Sequence, residues 1–370
     1  PESEECMPCN PAGSNLRFPL TTEEPGAEEF AQCVCPAGSF ASAEASKCQA
    51  CPEGMRCALG SNMSYVDGSG PFPQAVPGFM TRASDPMRVF RCFKPSWCPG
   101  GGPGSCAPNR DPTEVACGRC KADAYEAEDA CEKCGNVDLA PFFIVGLFAA
   151  IGLVVMTVVV NQDLLGKSSS SFTAVAIGGL MVTTLQAFGV FGSLQLQSFE
   201  PMATILRLAR LCTFDLKILR TGCLFRTGAV GDYFLRQCVP PLGVPVMALT
   251  LRVKKRFKPS TNLVLEFTNS MGMLFTLLFL PVLMSVLTPF MCYPHPGRNG
   301  SSIRSEPSIL CSGENPQHME MLAIGIITFM FVPLPFMTAV IWATLKYPIW
   351  SSTLGHGDFI LSAFRFLFFR

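Results

Sequence analysis

Long apolar runs, separated by polar, charged or cysteine-rich stretches, set the pattern of this chain. The first run, Leu139–Val160, has 22 residues and no charge. As a helix it would reach roughly 33 Å, enough to cross a hydrocarbon core of about 30 Å. A second uncharged run is Phe172–Leu194. A third, Tyr233–Leu251, has Arg236 near its start and Pro240, Pro241 and Pro245 inside. A fourth is Phe267–Phe290, and a fifth is Met321–Leu345, with Pro333 and Pro335. The pattern predicts an α-helical multi-pass membrane domain, residues 139–346, of about five spans. Its prolines predict kinks where neighbouring helices satisfy the freed carbonyls.

Two stretches break the pattern. In residues 203–226, Arg207, Arg210, Lys217 and Arg220 fall on one helical face. This reads as an amphipathic helix in the membrane interface. The rival, a crossing with stacked cations like a voltage sensor, would move every later loop to the other side. Phe359–Arg370 reads as a second amphipathic helix, against the inner leaflet, inside a truncated cytosolic segment 347–370. Trp342, Tyr347 and Trp350 suit an interfacial aromatic belt.

Composition changes the picture before residue 139. Residues 1–134 hold three Leu, five Val and no Ile, yet 14 of the 19 cysteines. That is too little aliphatic matter to offset about 1–2 kcal/mol of backbone entropy per residue. Cross-links are the remedy, at roughly 2–4 kcal/mol each. The expected disulfide cysteines are Cys6, Cys9, Cys33, Cys35, Cys48, Cys51, Cys57, Cys92, Cys98, Cys106, Cys117, Cys120, Cys131 and Cys134. The even count fits full pairing within the region, with the connectivity left open. Such chemistry places residues 1–134 in an oxidising space, at the cell surface or in the lumen of a secretory organelle. The rival is zinc, because Cys117–Cys120 and Cys131–Cys134 are two closely spaced Cys-x-x-Cys pairs. The chain begins at Pro1-Glu2-Ser3 and stops at Phe368-Phe369-Arg370, which reads as a fragment at both ends.

Within this region Cys33-x-Cys35-Pro-x-Gly and Cys48-x-x-Cys51-Pro-x-Gly-x-x-Cys57 repeat a Cys-Pro-x-Gly turn. Proline fixes φ and glycine permits a left-handed corner, so each cysteine is presented at a tight turn. Val76-Pro77-Gly78-Phe79, Cys92, Cys98-Pro99-Gly100-Gly101, Cys106 and the two later Cys-x-x-Cys pairs continue the series. The run resembles the ephrin type A/B receptor-like cysteine-rich module, akin to EGF and tumour-necrosis-factor-receptor repeats, over about residues 30–134. Large membrane proteins of unicellular eukaryotes carry a similar run just before several membrane helices. The resemblance implies a small disulfide-rich ectodomain with little regular structure. It implies no kinase: no Gly-rich loop, His-Arg-Asp or Asp-Phe-Gly signature is present.

Charge then orients the chain. The net charge of zero hides −7 over residues 1–134 and +7 over the remainder. Arg252–Lys258 holds five cations in seven residues and reads as a cytosolic loop by the positive-inside rule. The loop after the fourth span is then outside. It carries Cys292 and Cys311, expected to pair, and the sequon Asn299-Gly300-Ser301. Asn62-Met63-Ser64 is a second glycosylation sequon. Cys212, Cys223 and Cys238 are an odd set, so at least one is free or pairs elsewhere.

Signatures of chemistry are few. His295, His318 and His356 lack metal-ligand spacing, and Gly166-Lys167-Ser168 lacks the first glycine of a phosphate loop. The reading is not an enzyme, with no metal and no cofactor, and no nucleic acid, since neither half is strongly basic. Gln186, mid-span, and Glu266, at the start of the fourth span, are the candidate transport-lining residues. The functional expectation is a receptor-like membrane protein whose Cys-rich region binds a protein or glycan partner. The alternative is an ion channel or transporter with that region as a regulatory cap. Its partners are the lipid bilayer and an unidentified extracellular or luminal ligand.

Overall fold

The computed structural model describes residues 9, 18–23, 32–42, 45–127, 130–135, 139–161, 181, 184–189, 223, 228–260, 262–352 and 358–368. Cys6, Cys212, the helix expected over 203–226 apart from Cys223, and most of Phe172–Leu194 lie outside these residues. The chain divides into two compact units, Pro1–Lys133 with Met291–Asn315, and Cys134–Phe290 with Pro316–Arg370.

The first unit is a series of antiparallel two-stranded ribbons. They are β1 (Thr21–Thr22) with β2 (Cys33–Val34), β3 (Ser39–Ser42) with β4 (Ala45–Ala50), β5 (Met55–Arg56) with β6 (Gln74–Ala75), β7 (Phe79–Arg82) with β8 (Asp85–Arg91), β9 (Ala124–Ala127) with β10 (Ala130–Lys133), and β11 (Cys292–Pro294) with β12 (Ser301–Ile303). Disulfides join Cys9–Cys33, Cys35–Cys48, Cys51–Cys57, Cys92–Cys98, Cys106–Cys117 and Cys120–Cys131. The segment between the fourth and fifth expected spans belongs to this unit, closed by Cys292–Cys311.

The core gathers Met80, Phe90, Trp97, Val115 and Ala116 around three buried half-cystines, Cys92, Cys98 and Cys117, and Cys106 and Leu310 pack against it. Ile303 and Ile309 are also fully buried. Residues 291–315 thus supply isoleucine that residues 1–134 lack, each side chain contributing roughly 1.5–3 kcal/mol when buried.

The second unit is helical: α1 (Leu139–Val160), α2 (Ala229–Phe257), α3 (Leu263–Leu287), α4 (Pro316–Phe331), α5 (Pro333–Ser352), α6 (Asp358–Ala363) and α7 (Arg365–Phe368). Among the described residues four segments are long and apolar enough to cross a membrane: Phe142–Val160, Ala229–Phe257, Leu263–Phe290 and Pro316–Trp350. The last is α4 and α5 together, with Val332 N–H bonded to Thr328 and Phe336 N–H to Val332 across the break. On α1, Phe143, Leu147, Phe148, Ile151 and Val155 are exposed. An apolar strip of this kind suits lipid rather than water.

Three elements differ from their expected form. Arg252–Phe257 are the last turns of α2, not a loop. Cations are favoured there by the unpaired carbonyls of a helix C-terminus. The element expected as one amphipathic helix over Phe359–Arg370 is, among the described residues, the two short helices α6 and α7, with Leu361 and Phe366 buried. Gly272 on α3 has no side chain, and the Phe366 ring fills the space its Cβ would take. Cys134 pairs with Cys223 in the helical unit, so pairing does not close within residues 1–134.

Candidate functional site

The most elaborated surface of the first unit is where residues 291–315 meet β8. Tyr293 donates its hydroxyl to the Arg91 carbonyl at 3.2 Å. Arg91 N–H donates to His295 Nδ1 at 3.1 Å. Asn299 Nδ2 donates to the Val89 carbonyl at 2.9 Å. The rings form a chain: His295 stands edge-on to Phe90 at 5.3 Å and to Tyr293 at 5.2 Å, and Tyr293 lies 5.6 Å from Phe93. Gly118 lets the loop approach, since a Cβ there would sit 2.6 Å from the Ser308 nitrogen.

His295 is 5% exposed. Because Nδ1 accepts from a backbone N–H, the imidazole is neutral with its proton on Nε2, which lies 2.8 Å from Ser302 Oγ. Burial holds its pKa down to about 4, and the cation of Arg88 acts the same way. Burial also pushes the Tyr293 phenol far above its ordinary value, against the pull of Arg91.

Arg110 centres the same unit at 2% exposure. Its guanidinium lies 3.8 Å from the Trp97 ring, donates to the Cys117 carbonyl at 3.0 Å, and faces Glu126 at 3.8 Å. Ala116 and Cys117 adopt left-handed backbone, with φ of 56° and 48°. Buried charge requires this density of partners. Sequence reasoning missed Arg110, because a lone arginine in a Pro/Gly-rich loop looks solvated.

Among the helices, Glu266 accepts from Lys254 Nζ at 2.6 Å, and Lys254 also reaches the Asn161 carbonyl at 3.4 Å. Asn161 Nδ2 donates to Ser270 Oγ at 2.6 Å and to the Thr157 carbonyl at 2.9 Å. Asn269 Nδ2 donates to Asn161 Oδ1 at 3.1 Å and to the Val160 carbonyl at 3.2 Å. One polar knot thus ties the C-terminal ends of α1 and α2 to the start of α3. Gln237 on α2 donates to Ser285 Oγ on α3 at 2.8 Å.

Gln186, 2% exposed, donates to the Leu277 carbonyl on α3 at 2.6 Å. In a regular helix that carbonyl would accept from residue 281, which is proline and has no N–H. Gln186 replaces the missing donor. Glu266 and Leu277 are about 16 Å apart along α3, so the two candidate transport residues do not meet in one site. Both are engaged in helix–helix ties.

The four cysteines of the zinc reading, Cys117, Cys120, Cys131 and Cys134, enter three separate disulfides. Cys238 is a free thiol. Asn62 is half-buried, caps a short 3-10 turn, and accepts from Ser64 N–H through Oδ1 at 2.9 Å. Asn299, half-buried, has its Nδ2 on Val89.

Comparison with protein-family models, curated proteins and solved structures gave no match. The likeness of residues 30–134 to ephrin-receptor-like modules therefore stands on the cysteine and turn spacing.

Proposed function

We propose that the chain is a multi-pass integral membrane protein whose disulfide-stapled unit faces the cell exterior or an organelle lumen and binds a protein or glycan partner there. The observation that carries this reading is the union of residues 291–315 with the Cys-rich region. Two segments separated by hydrophobic helices build one disulfide-rich body with one core. Eight disulfides among the described residues suit an oxidising compartment.

The same union supports the span count. Both segments lie on one side, so the crossings between residues 134 and 291 are even in number. Three are α1, α2 and α3. The Cys134–Cys223 bridge supports a reading in which the starts of α1 and α2 share one side as well, which calls for one return crossing between them. In our reading Phe172–Leu194 supplies it, with helical residues 184–189 against α3 through Gln186. The basic end of α2 is then cytosolic. The transport alternative draws no support from Gln186 or Glu266, which are both committed to packing.

The test is display of the full chain on secretory-competent cells, probed with arrayed glycans and soluble receptor ectodomains. Selective binding that is lost in Cys292→Ser/Cys311→Ser supports the reading. Binding no greater than that of mock cells, together with ion flux in reconstituted vesicles, would replace it with the channel.

A further inference from the structure

α2 has 29 residues and is about 43 Å long, well beyond an apolar core of about 30 Å. Its final turns carry Arg252, Lys254, Lys255 and Arg256. Lys254 is turned into the bundle and held by Glu266. The other three stand at i, i+3 and i+4, which places them on one helical face with Cβ atoms about 5–6 Å apart. All three are exposed, and none has a carboxylate within ion-pair distance among the described residues. The nearby first-turn acid of α3, Glu266, is already neutralised by Lys254. Next to this face Phe257 is 84% exposed and Val253 49%. The structure therefore presents a triad of exposed cations at the end of a helix, and with α2 read as a span that end falls at the headgroup layer.

We propose that Arg252, Lys255 and Arg256 form a binding site for the headgroup of a polyphosphorylated inositol lipid. This rests on the reading of the chain as membrane-embedded with α2 as a span. Two guanidinium forks and one ammonium match several phosphates on one ring, because arginine engages phosphate through paired N–H donors. Phosphatidylserine, with one carboxylate and one phosphodiester, fills the triad only in part. Val253, exposed and nearer the bilayer along α2 than Lys255 and Arg256, faces the glycerol level in this reading, which favours the lipid over its free headgroup. Lys254 takes no part; it fixes the helix end that presents the other three.

The experiment uses the full chain in phosphatidylcholine nanodiscs. It is titrated with a fluorescent short-chain phosphatidylinositol bisphosphate, and in parallel with short-chain phosphatidylserine and free inositol trisphosphate. The bisphosphate lipid should bind more tightly than either. Arg252→Gln/Lys255→Gln/Arg256→Gln should weaken it on the order of 100-fold, from roughly five-fold per charge. Arg252→Lys/Arg256→Lys, which keeps charge and loses the forks, should fall between. Equal binding by the triple variant, or equal affinity for phosphatidylserine, overturns the proposal. If the triple variant does not fold, a salt titration of the wild type decides: affinity that is unchanged by salt overturns the site, and a steep decline supports it. Release of the chain from membranes by alkaline carbonate overturns the membrane reading itself. An embedded chain that ignores the lipid overturns only this site.

Discussion

Cys134 and Cys223 are joined by a disulfide across a sequence separation of 89, with their Cα atoms 5.9 Å apart. Cys134 lies just before α1 and Cys223 just before α2, so the bond clamps the entrances of two helices. A non-reduced proteolytic digest should contain the peptide linked through these two cysteines. In Cys223→Ser, Cys134 should become alkylatable under non-reducing conditions. Recovery of Cys134 bonded inside residues 1–133 would break the clamp and the parity argument built on it.

His295 makes the disulfide-rich unit sensitive to acid. Its folded pKa is about 4, against an ordinary value of 6.5. A depressed histidine means that the unfolded state binds more protons between these values, so stability rises with pH. The contribution is fully present above about pH 6.5 and is lost as pH falls toward 4, on the order of 3 kcal/mol in all. Protonation also removes the acceptor for Arg91 N–H. Hydrogen exchange of residues 291–303 should therefore accelerate across this window, and His295→Gln should flatten the profile. A wild-type profile that is flat between pH 7 and 4 would refute the assignment.

Gln186 and Pro281 form a testable pair. Gln186→Leu leaves the Leu277 carbonyl without a donor, at a cost of about 1 kcal/mol. Pro281→Ala restores a backbone N–H at that position. Thermal unfolding in bicelles should show Gln186→Leu as destabilising in the wild type and nearly neutral in the Pro281→Ala background. Equal costs in both backgrounds would show that the two are uncoupled.

Gly118→Ala should loosen the loop from the Cys-rich region. The new Cβ would meet the Ser308 nitrogen and the Pro307 carbonyl carbon, which are backbone atoms with little room to yield. Overpacking of this kind costs about 1–3 kcal/mol. Limited proteolysis of residues 291–315 should become faster while Cys292–Cys311 stays closed. An unchanged cleavage rate would mean that the loop tolerates the shift.

Glycosylation should distinguish the two sequons. Asn62 uses Oδ1 to cap its turn, so a sugar on Nδ2 leaves that bond intact. Asn299 uses Nδ2 to hold Val89, so a sugar there competes with the latch. Glycosidase mapping should find Asn62 more fully occupied than Asn299; the reverse order would argue that the Val89 bond forms only after modification or not at all.

The sequence by itself determined the parts. Apolar runs match the bounds of α1 and mark the middles of the other long described helices, whose ends lie up to about two turns away, because a run of about 20 apolar residues suits a bilayer-crossing helix. Cysteine density without aliphatic residues marks the stapled region for an equally local reason. What only the tertiary structure decided is which distant groups meet. Ile303 and Ile309 complete a core whose own sequence holds no isoleucine. Cys134 leaves its neighbours for Cys223, since pairing depends on Cα proximity and not on spacing. Gln186 and Glu266 looked like transport groups because a polar residue in an apolar run has no local partner. Their partners, a proline-orphaned carbonyl on α3 and a lysine at the end of α2, come within reach only when the helices pack.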